Sequence, residues 1–156
     1  GVILAADMLG QAGGRDVAAT LLIMGQAQDR EAALLAPVAH AMTDVTGFGL
    51  AGHVHAMCQA SKLDADLFHD AIPTYPGARV LSDLGVSSTL MPANYLDAPV
   101  AGPHDALLYD PQTAGGLLAA VPEKLSTTVL QALIAQGCTG HIIGRLRKGT
   151  GCLYLS

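Results

Sequence analysis

The sequence predicts an α+β fold, layered in the α/β manner, with a mixed β-sheet packed with helices. Three observations carry that expectation. Short apolar runs of strand length alternate with Ala/Leu-rich stretches of helical length along the 156 residues. Hydrophobic residues make up 51% of the chain and charged residues 13%, which suits a single folded domain spanning 1–156 and excludes a disordered one. Glycines and prolines fall at the joins, as at Gly13-Gly14, Pro37, Pro122 and Gly137.

The elements follow in order. Val2 to Ala6 is a continuous apolar run and reads as a strand. Asp16 to Gln28 is rich in good helix formers. Asp29 caps a second short helix through Leu35, which Pro37 ends. Val38 to Met42 reads as a short buried strand, and Gly47 to Ala60 as a helix with Leu50, Val54, Met57 and Cys58 at helical spacing. Leu63 to Phe68 alternates, as a half-exposed strand does. Tyr75 to Leu84 is a helix with Pro76 in its first turn. Ser87 to Pro103 carries three prolines and no clear period, so it reads as a long loop. Ala106 to Tyr109 and Gly116 to Val121 are strands, and Pro122 opens a helix that runs to Gln136. His141 to Leu146 and Cys152 to Leu155 are final strands, joined through Lys148-Gly149-Thr150-Gly151.

Composition excludes several function classes. The net charge is −5, and the few Lys and Arg are scattered, so no basic face exists for nucleic acid. Arg145, Arg147 and Lys148 form a small solvated strand end. No apolar run reaches the roughly 20 residues of a membrane span, and the opening Gly1 to Ala6 lacks the basic flank of a signal peptide. It reads as a chain entering in mid-strand, at the cut edge of a longer protein. Cys58, Cys138 and Cys152 are far apart with no CxxC spacing, which fits free thiols in a reducing cytoplasm. The low charge points to surface covered by a partner or another domain.

Two segments can carry chemistry. The first is Thr43-Asp44-Val45-Thr46-Gly47-Phe48-Gly49-Leu50-Ala51-Gly52-His53. It places a carboxylate, a hydroxyl and backbone N–H groups where a strand turns into a helix, an end that suits phosphate. Glycine in a helix costs roughly 1 kcal/mol against alanine. Gly47, Gly49 and Gly52 therefore imply a closely packed backbone or an approaching ligand. A tight turn capped by Asp44 or Thr46 explains the same residues without a ligand. With one, Asp44 would bind Mg²⁺ as a hard oxygen donor, and Thr46 with the following amides would face phosphate. The second segment is Leu108-Tyr109-Asp110-Pro111-Gln112-Thr113-Ala114-Gly115-Gly116-Leu117-Leu118. Taken alone it reads as a turn in which Asp110 bonds its own backbone.

No Lys or Arg occurs between Arg30 and Lys62, nor between Arg79 and Lys124. Both segments thus lie in cation-free stretches, whereas a triphosphate needs its charge neutralised. A chain that handles phosphate this way is half a site, with metal and another domain supplying the rest. His53 and His55 are two apart and cannot share a metal from one helix face; His53 packs or bonds near the helix start. Asp64 and Asp66 share a strand face that reads as solvated, with a cation as the alternative.

Together the two segments resemble selenophosphate synthetase (selenide, water dikinase). The chain matches that family's Asp-Val-Thr-Gly-Phe-Gly-Leu-x-Gly-His from Asp44 to His53, and its Asp-Pro-Gln-Thr-Ser-Gly-Gly-Leu-Leu from Asp110 to Leu118 with Ala114 in place of Ser. The opening Gly1-Val2-Ile3-Leu4 fits too, while Ser87 to Ala93 before Asn94 departs from the usual glycine-rich turn. Other ATP-dependent enzymes of this superfamily, aminoimidazole ribonucleotide synthetase among them, differ at the first motif.

The resemblance implies a C-terminal domain like that of aminoimidazole ribonucleotide synthetase, belonging to a two-domain, dimeric, cytoplasmic enzyme. Its reaction turns ATP, selenide and water into selenophosphate, AMP and phosphate with Mg²⁺. The catalytic Cys or selenocysteine and the catalytic Lys belong to the N-terminal half, which is absent from this chain. The implied partners are therefore the chain's own N-terminal domain and a second subunit. Carried across, Asp44 matches the metal-binding aspartate, and Thr46 and Gly47 match the helix start beside it. Asp110, Gln112 and Thr113 match the second nucleotide-facing turn. None of these is a catalytic residue in the strict sense, so the chain alone is expected to be inactive. Two alternatives stay open. One is a free-standing, non-catalytic nucleotide- or partner-binding domain of the same fold. The other is a related ATP-dependent enzyme that ignores selenide and yields ADP.

Overall fold

A computed structural model describes all residues from Gly1 to Ser156. It contains seven α-helices and six strands. In chain order these are α1 (Val2–Met8), α2 (Gly14–Met24), α3 (Asp29–Leu35), β1 (Ala41–Asp44), α4 (Gly49–Ser61), β2 (Leu63–Leu67), α5 (Ala78–Asp83), α6 (Met91–Asp97), β3 (Val100–Ala101), β4 (Leu117–Ala120), α7 (Glu123–Ala135), β5 (Gly144–Lys148) and β6 (Leu153–Leu155). Two 3₁₀ turns, His69–Ala71 and Ala106–Tyr109, complete it.

The strands form two sheets. β1 and β4 pair antiparallel, Asp44 opposite Leu117. The other four run in the order β3-β6-β2-β5. This sheet is mixed: β5 is antiparallel to β2, while β6 is parallel to both β2 and β3. The last two strands therefore do not form a hairpin. β2 lies between them, and residues 149–152 cross its end.

The principal core lies between α4 and the four-stranded sheet. Ala51, Val54 and Cys58 of α4 pack with Ala65 and Leu67 of β2, Leu153 and Leu155 of β6, and Leu108 and Tyr109. A second cluster joins Val2, Ile3 and Ala6 of α1 to Ala78, Leu81 and Val86. A cleft of about 1260 Å³ is lined by residues of α1, α2, α4, β4 and α7 and borders the Asp110–Gly116 loop.

Four expectations are corrected. Val2 to Ala6 is a helix, not a strand. Its buried residues Val2, Ile3 and Ala6 share one helical face against α5, and Asp110 accepts the Val2 amide at 3.0 Å, a cap supplied from 108 positions away. A five-residue apolar run does not by itself distinguish helix from strand. Ala106 to Tyr109 is a 3₁₀ turn, because Asp105 caps it by accepting the Leu107 amide at 3.0 Å. The stretch 87–103 is not a loop throughout but holds α6 and β3. Of α6 only Asn94 is buried while Leu96 is exposed, so the helix leaves no apolar stripe in the sequence. The strand expected at Val38 to Met42 begins instead at Ala41 and is half-exposed, since residues 38 and 39 close the end of α3 by bonding the Leu35 carbonyl.

Asp64 is a further correction. It is 5% exposed, not solvated, and belongs to no cluster of three His, Cys, Asp or Glu side chains. One carboxylate oxygen accepts the amides of Thr150 (2.8 Å), Gly151 (3.1 Å) and Cys152 (2.9 Å), and the other accepts Arg147 (2.9 Å). The crossover from β5 to β6 is thus wound around a buried anion. The Cys152 and Thr150 amides lead in holding this carboxyl below the usual range, against burial, which would raise it. Arg147 also bonds Asp66 and lies 4.7 Å over the Tyr154 ring, so it is no free strand-end cation. The three cysteines are free; Cys58 is buried and Cys138 partly buried, while Cys152 is exposed. No helix is long and apolar enough to cross a membrane.

Candidate functional site

The two glycine-bearing segments are stitched to each other. The Val45 amide donates to the Gly116 carbonyl at 3.0 Å, and the Gly115 amide returns a bond to the Val45 carbonyl at 3.0 Å. The Gln112 amide donates to the Thr46 carbonyl, also at 3.0 Å. These bonds continue the β1–β4 ladder past Asp44 into the turn that begins α4.

Asn94 binds the two segments from a third direction. Its side-chain amide donates to the Gly47 carbonyl and to the Tyr109 carbonyl, both at 2.9 Å. It is buried, and it sits on α6, within a proline-bearing stretch that carries no helical period in the sequence. An isolated Asn without apolar periodicity around it carries no local signal of this role.

The three glycines of the first segment separate into different physical cases. Gly49 has φ +68°, and a Cβ there would stand 2.8 Å from the Leu108 carbonyl oxygen and 2.8 Å from the Tyr109 carbonyl carbon. Close backbone packing is therefore what it serves. At Gly52 a Cβ would lie 2.6 Å from the Cβ of Phe48. Gly47 faces open space, with nothing within 4 Å of its Cβ position.

The site residues lie as follows. Asp44 ends β1, is exposed, and its carboxylate takes part in no hydrogen bond or ion pair. The Thr46 amide is already used: it donates to His53 Nε2 at 2.9 Å, and the Thr46 hydroxyl lies 3.2 Å from the same nitrogen. The amides of Gly47 and Phe48 donate to no protein acceptor. Asp110 is buried and accepts the Val2 amide; the Gly1 nitrogen also lies 3.0 Å from that oxygen. It therefore anchors α1 and does not cap its own turn. Gln112 bonds back to the Asp110 carbonyl at 3.0 Å. Thr113 is exposed and makes no hydrogen bond. Gln28 supports the loop from below, donating to the Gly115 carbonyl at 2.6 Å, and the Tyr75 hydroxyl donates to the Ala114 carbonyl at 3.3 Å.

No cluster of three or more His, Cys, Asp or Glu residues could enclose a metal ion. Asp44 fits a Mg²⁺ site as one donor, since its carboxylate is free and Mg²⁺ ordinarily takes one or two carboxylates beside water and phosphate oxygens. No Lys or Arg pairs with either segment, in keeping with their cation-free sequence.

Apart from both segments stands a buried Asp105. Arg79 grips it with two bonds, at 2.7 and 2.8 Å, and His69 Nε2 lies 3.0 Å away. It ties α5 to the turn leading into the second segment.

A layered α+β domain with two interlocked glycine-bearing turns is the class that this architecture defines. The chain belongs to the family described as AIR synthase related protein, C-terminal domain, whose model matches residues 1–152. Among curated proteins it is similar to the selenide, water dikinase of Cronobacter sakazakii, at 38% identity over 116 residues, which is 71% of this chain and 33% of that one. The Shewanella baltica enzyme of the same name is 41% identical over the same shares, and that of Pseudomonas straminea 34% over 74% of this chain and 35% of its own. The chain therefore spans about a third of the length of these relatives. Among solved structures it is similar in fold to Escherichia coli HypE, a hydrogenase maturation protein, with a TM-score of 0.61 at 21% identity, covering 84% of this chain and 37% of that one.

Proposed function

We propose that this chain is the C-terminal domain of a selenophosphate synthetase and helps to position Mg²⁺-bound ATP for phosphoryl transfer to selenide. The observation that carries the reading is the joined pair of turns. A free carboxylate at Asp44 ends β1, and in the turn from there to α4, which begins at Gly49, the Gly47 and Phe48 amides have no protein acceptor. Such an end attracts phosphate oxygen through its N–H groups and its partial positive charge.

The roles divide among the residues. Asp44 contributes one oxygen to Mg²⁺, which when bound would offset phosphate charge. Thr46 and Gly47 present the turn, and Gly47, lacking a Cβ, leaves room for a ligand. Asp110 and Gln112 shape the second loop, and Thr113 projects from it toward the nucleotide. The catalytic Lys and the reactive Cys or selenocysteine come from the missing N-terminal domain, in a cytoplasmic homodimer. The one-third coverage of the relatives and the scarcity of cations near both turns support this division.

The test is activity of the complete polypeptide that carries this chain, read as selenide-dependent AMP formation from ATP. Asp44→Asn should reduce turnover by about tenfold or more while leaving the urea midpoint almost unchanged, because the side chain is exposed and unbonded. Loss of stability in step with activity would sink the metal role. ATP turnover that ignores selenide and yields ADP would shift the assignment to another enzyme of the superfamily.

A further inference from the structure

We propose that His53, as the neutral Nδ1–H tautomer, is a positioning residue that holds the phosphate-facing turn. The Thr46 amide is a donor that has no choice. A backbone N–H can only donate, and the Thr46 amide points at His53 Nε2 from 2.9 Å. Nε2 must then carry a lone pair, so in this state the ring is neutral with its proton on Nδ1. The Thr46 hydroxyl at 3.2 Å meets the same lone pair.

The bond spans the first turn of α4, since His53 lies seven residues after Thr46. It spends the Thr46 amide on the protein itself and fixes the peptide that leads into Gly47. From the other side, the Thr46 carbonyl is held by Gln112 and the Gly47 carbonyl by Asn94. With both carbonyls and the first amide fixed, the next two amides, Gly47 and Phe48, are the ones left for a ligand. The Phe48 ring packs edge-on against the imidazole, with centroids 5.8 Å apart.

Protonation would reverse the interaction. An imidazolium presents N–H at both nitrogens, so Nε2–H would face the Thr46 N–H and the lock would open. No ion pair opposes or assists this. Asp44 on β1, Asp97 on α6 and Asp110 in the second loop form no ion pair with His53, and His55 Nδ1 on the same helix has no partner at all. The inference rests on the phosphate reading above for what the turn faces, but its tautomer can be tested without any nucleotide.

The experiment is histidine side-chain ¹⁵N NMR, with Mg-ATP titration, on the complete polypeptide that carries this chain. At neutral pH His53 should show a protonated Nδ1 and a bare Nε2. Mg-ATP should shift the Gly47 and Phe48 amide signals. His53→Gln keeps an oxygen that can accept the Thr46 amide, and should hold the ATP Kd within about threefold of wild type. His53→Ala should weaken it by about tenfold or more, as misplacement of a positioning element does. A protonated Nε2 at neutral pH overturns the inference and leaves the phosphate reading standing. A bare Nε2 with Gly47 and Phe48 silent to Mg-ATP overturns both. Equal affinity of His53→Ala and wild type also overturns it. Should the Ala variant fail to fold, the wild-type tautomer and the Gln variant still decide.

Discussion

Gly49→Ala and Gly47→Ala make the same chemical change two residues apart, and the structure expects opposite results. At Gly49 the backbone has φ +68°, and the left-handed region costs an L-residue about 1–2 kcal/mol. The added Cβ would also stand 2.8 Å from the Leu108 carbonyl oxygen, 2.8 Å from the Tyr109 carbonyl carbon and 3.0 Å from the Tyr109 Cα. Comfortable carbon contacts lie at about 3.5–4.0 Å. All three neighbours are backbone, so no side chain can rotate away, and overpacking of this kind costs about 1–3 kcal/mol. Alanine regains about 0.4–1 kcal/mol by restricting the unfolded chain. The net expectation is a loss of about 2–4 kcal/mol for Gly49→Ala. Gly47 has no left-handed φ and nothing within 4 Å of its Cβ position, so Gly47→Ala should stay within about 0.5 kcal/mol of wild type. Urea unfolding followed by far-UV circular dichroism measures both, provided the slope is unchanged. Equal midpoints for the two variants, or Gly49→Ala matching wild type, would refute the close-packing account of this glycine.

Other perturbations probe the surrounding scaffold. Asn94→Ala strips partners from the Gly47 and Tyr109 carbonyls and should cost about 2–3 kcal/mol in urea unfolding, and Asn94→Asp should fare no better because a carboxylate cannot donate to either oxygen. Asp105 is pushed upward by burial, but Arg79, the Leu107 amide and His69 together bring its folded pKa below the ordinary value. Its stabilisation should therefore be complete above about pH 4, the unfolded pKa, and disappear as pH falls through the lower folded value. Thermal unfolding as a function of pH should show the acid slope flattened in Asp105→Asn, and an unchanged slope would contradict the ion-pair account.

Much of the fold was legible where local chemistry and tertiary packing agree. The helix expected through Leu35 ends there in the structure, although Asp29 is its first residue and forms no cap, Gln28 standing at the cap position, and the helix expected after Pro122 stops where Gly137 takes φ +76°. β2 was visible in the alternation of Leu63, Ala65 and Leu67 with two aspartates. The errors share a cause. At Val2 to Ala6 and Ala106 to Tyr109 the sequence holds short apolar runs, and the choice was made by carboxylates, Asp110 and Asp105, which cap the two segments. At α6 the helix is held by one buried amide in place of an apolar face.

The family was written in the sequence because its marks are local: closely spaced glycines, a leading aspartate and a second turn of fixed composition. The chain's poverty in cations near both segments was equally a property of sequence. Only the tertiary structure decided how those marks are used. It joined the two turns through Val45, Thr46, Gly115 and Gln112, gave the Thr46 amide to His53, and left those of Gly47 and Phe48 free. It buried Asp64 and Asp110 as anchors and left Asp44 exposed. The residue type sets what a carboxylate or an amide can bond. Which partner it meets depends on segments up to 108 positions distant, and the chain must fold before they come into reach.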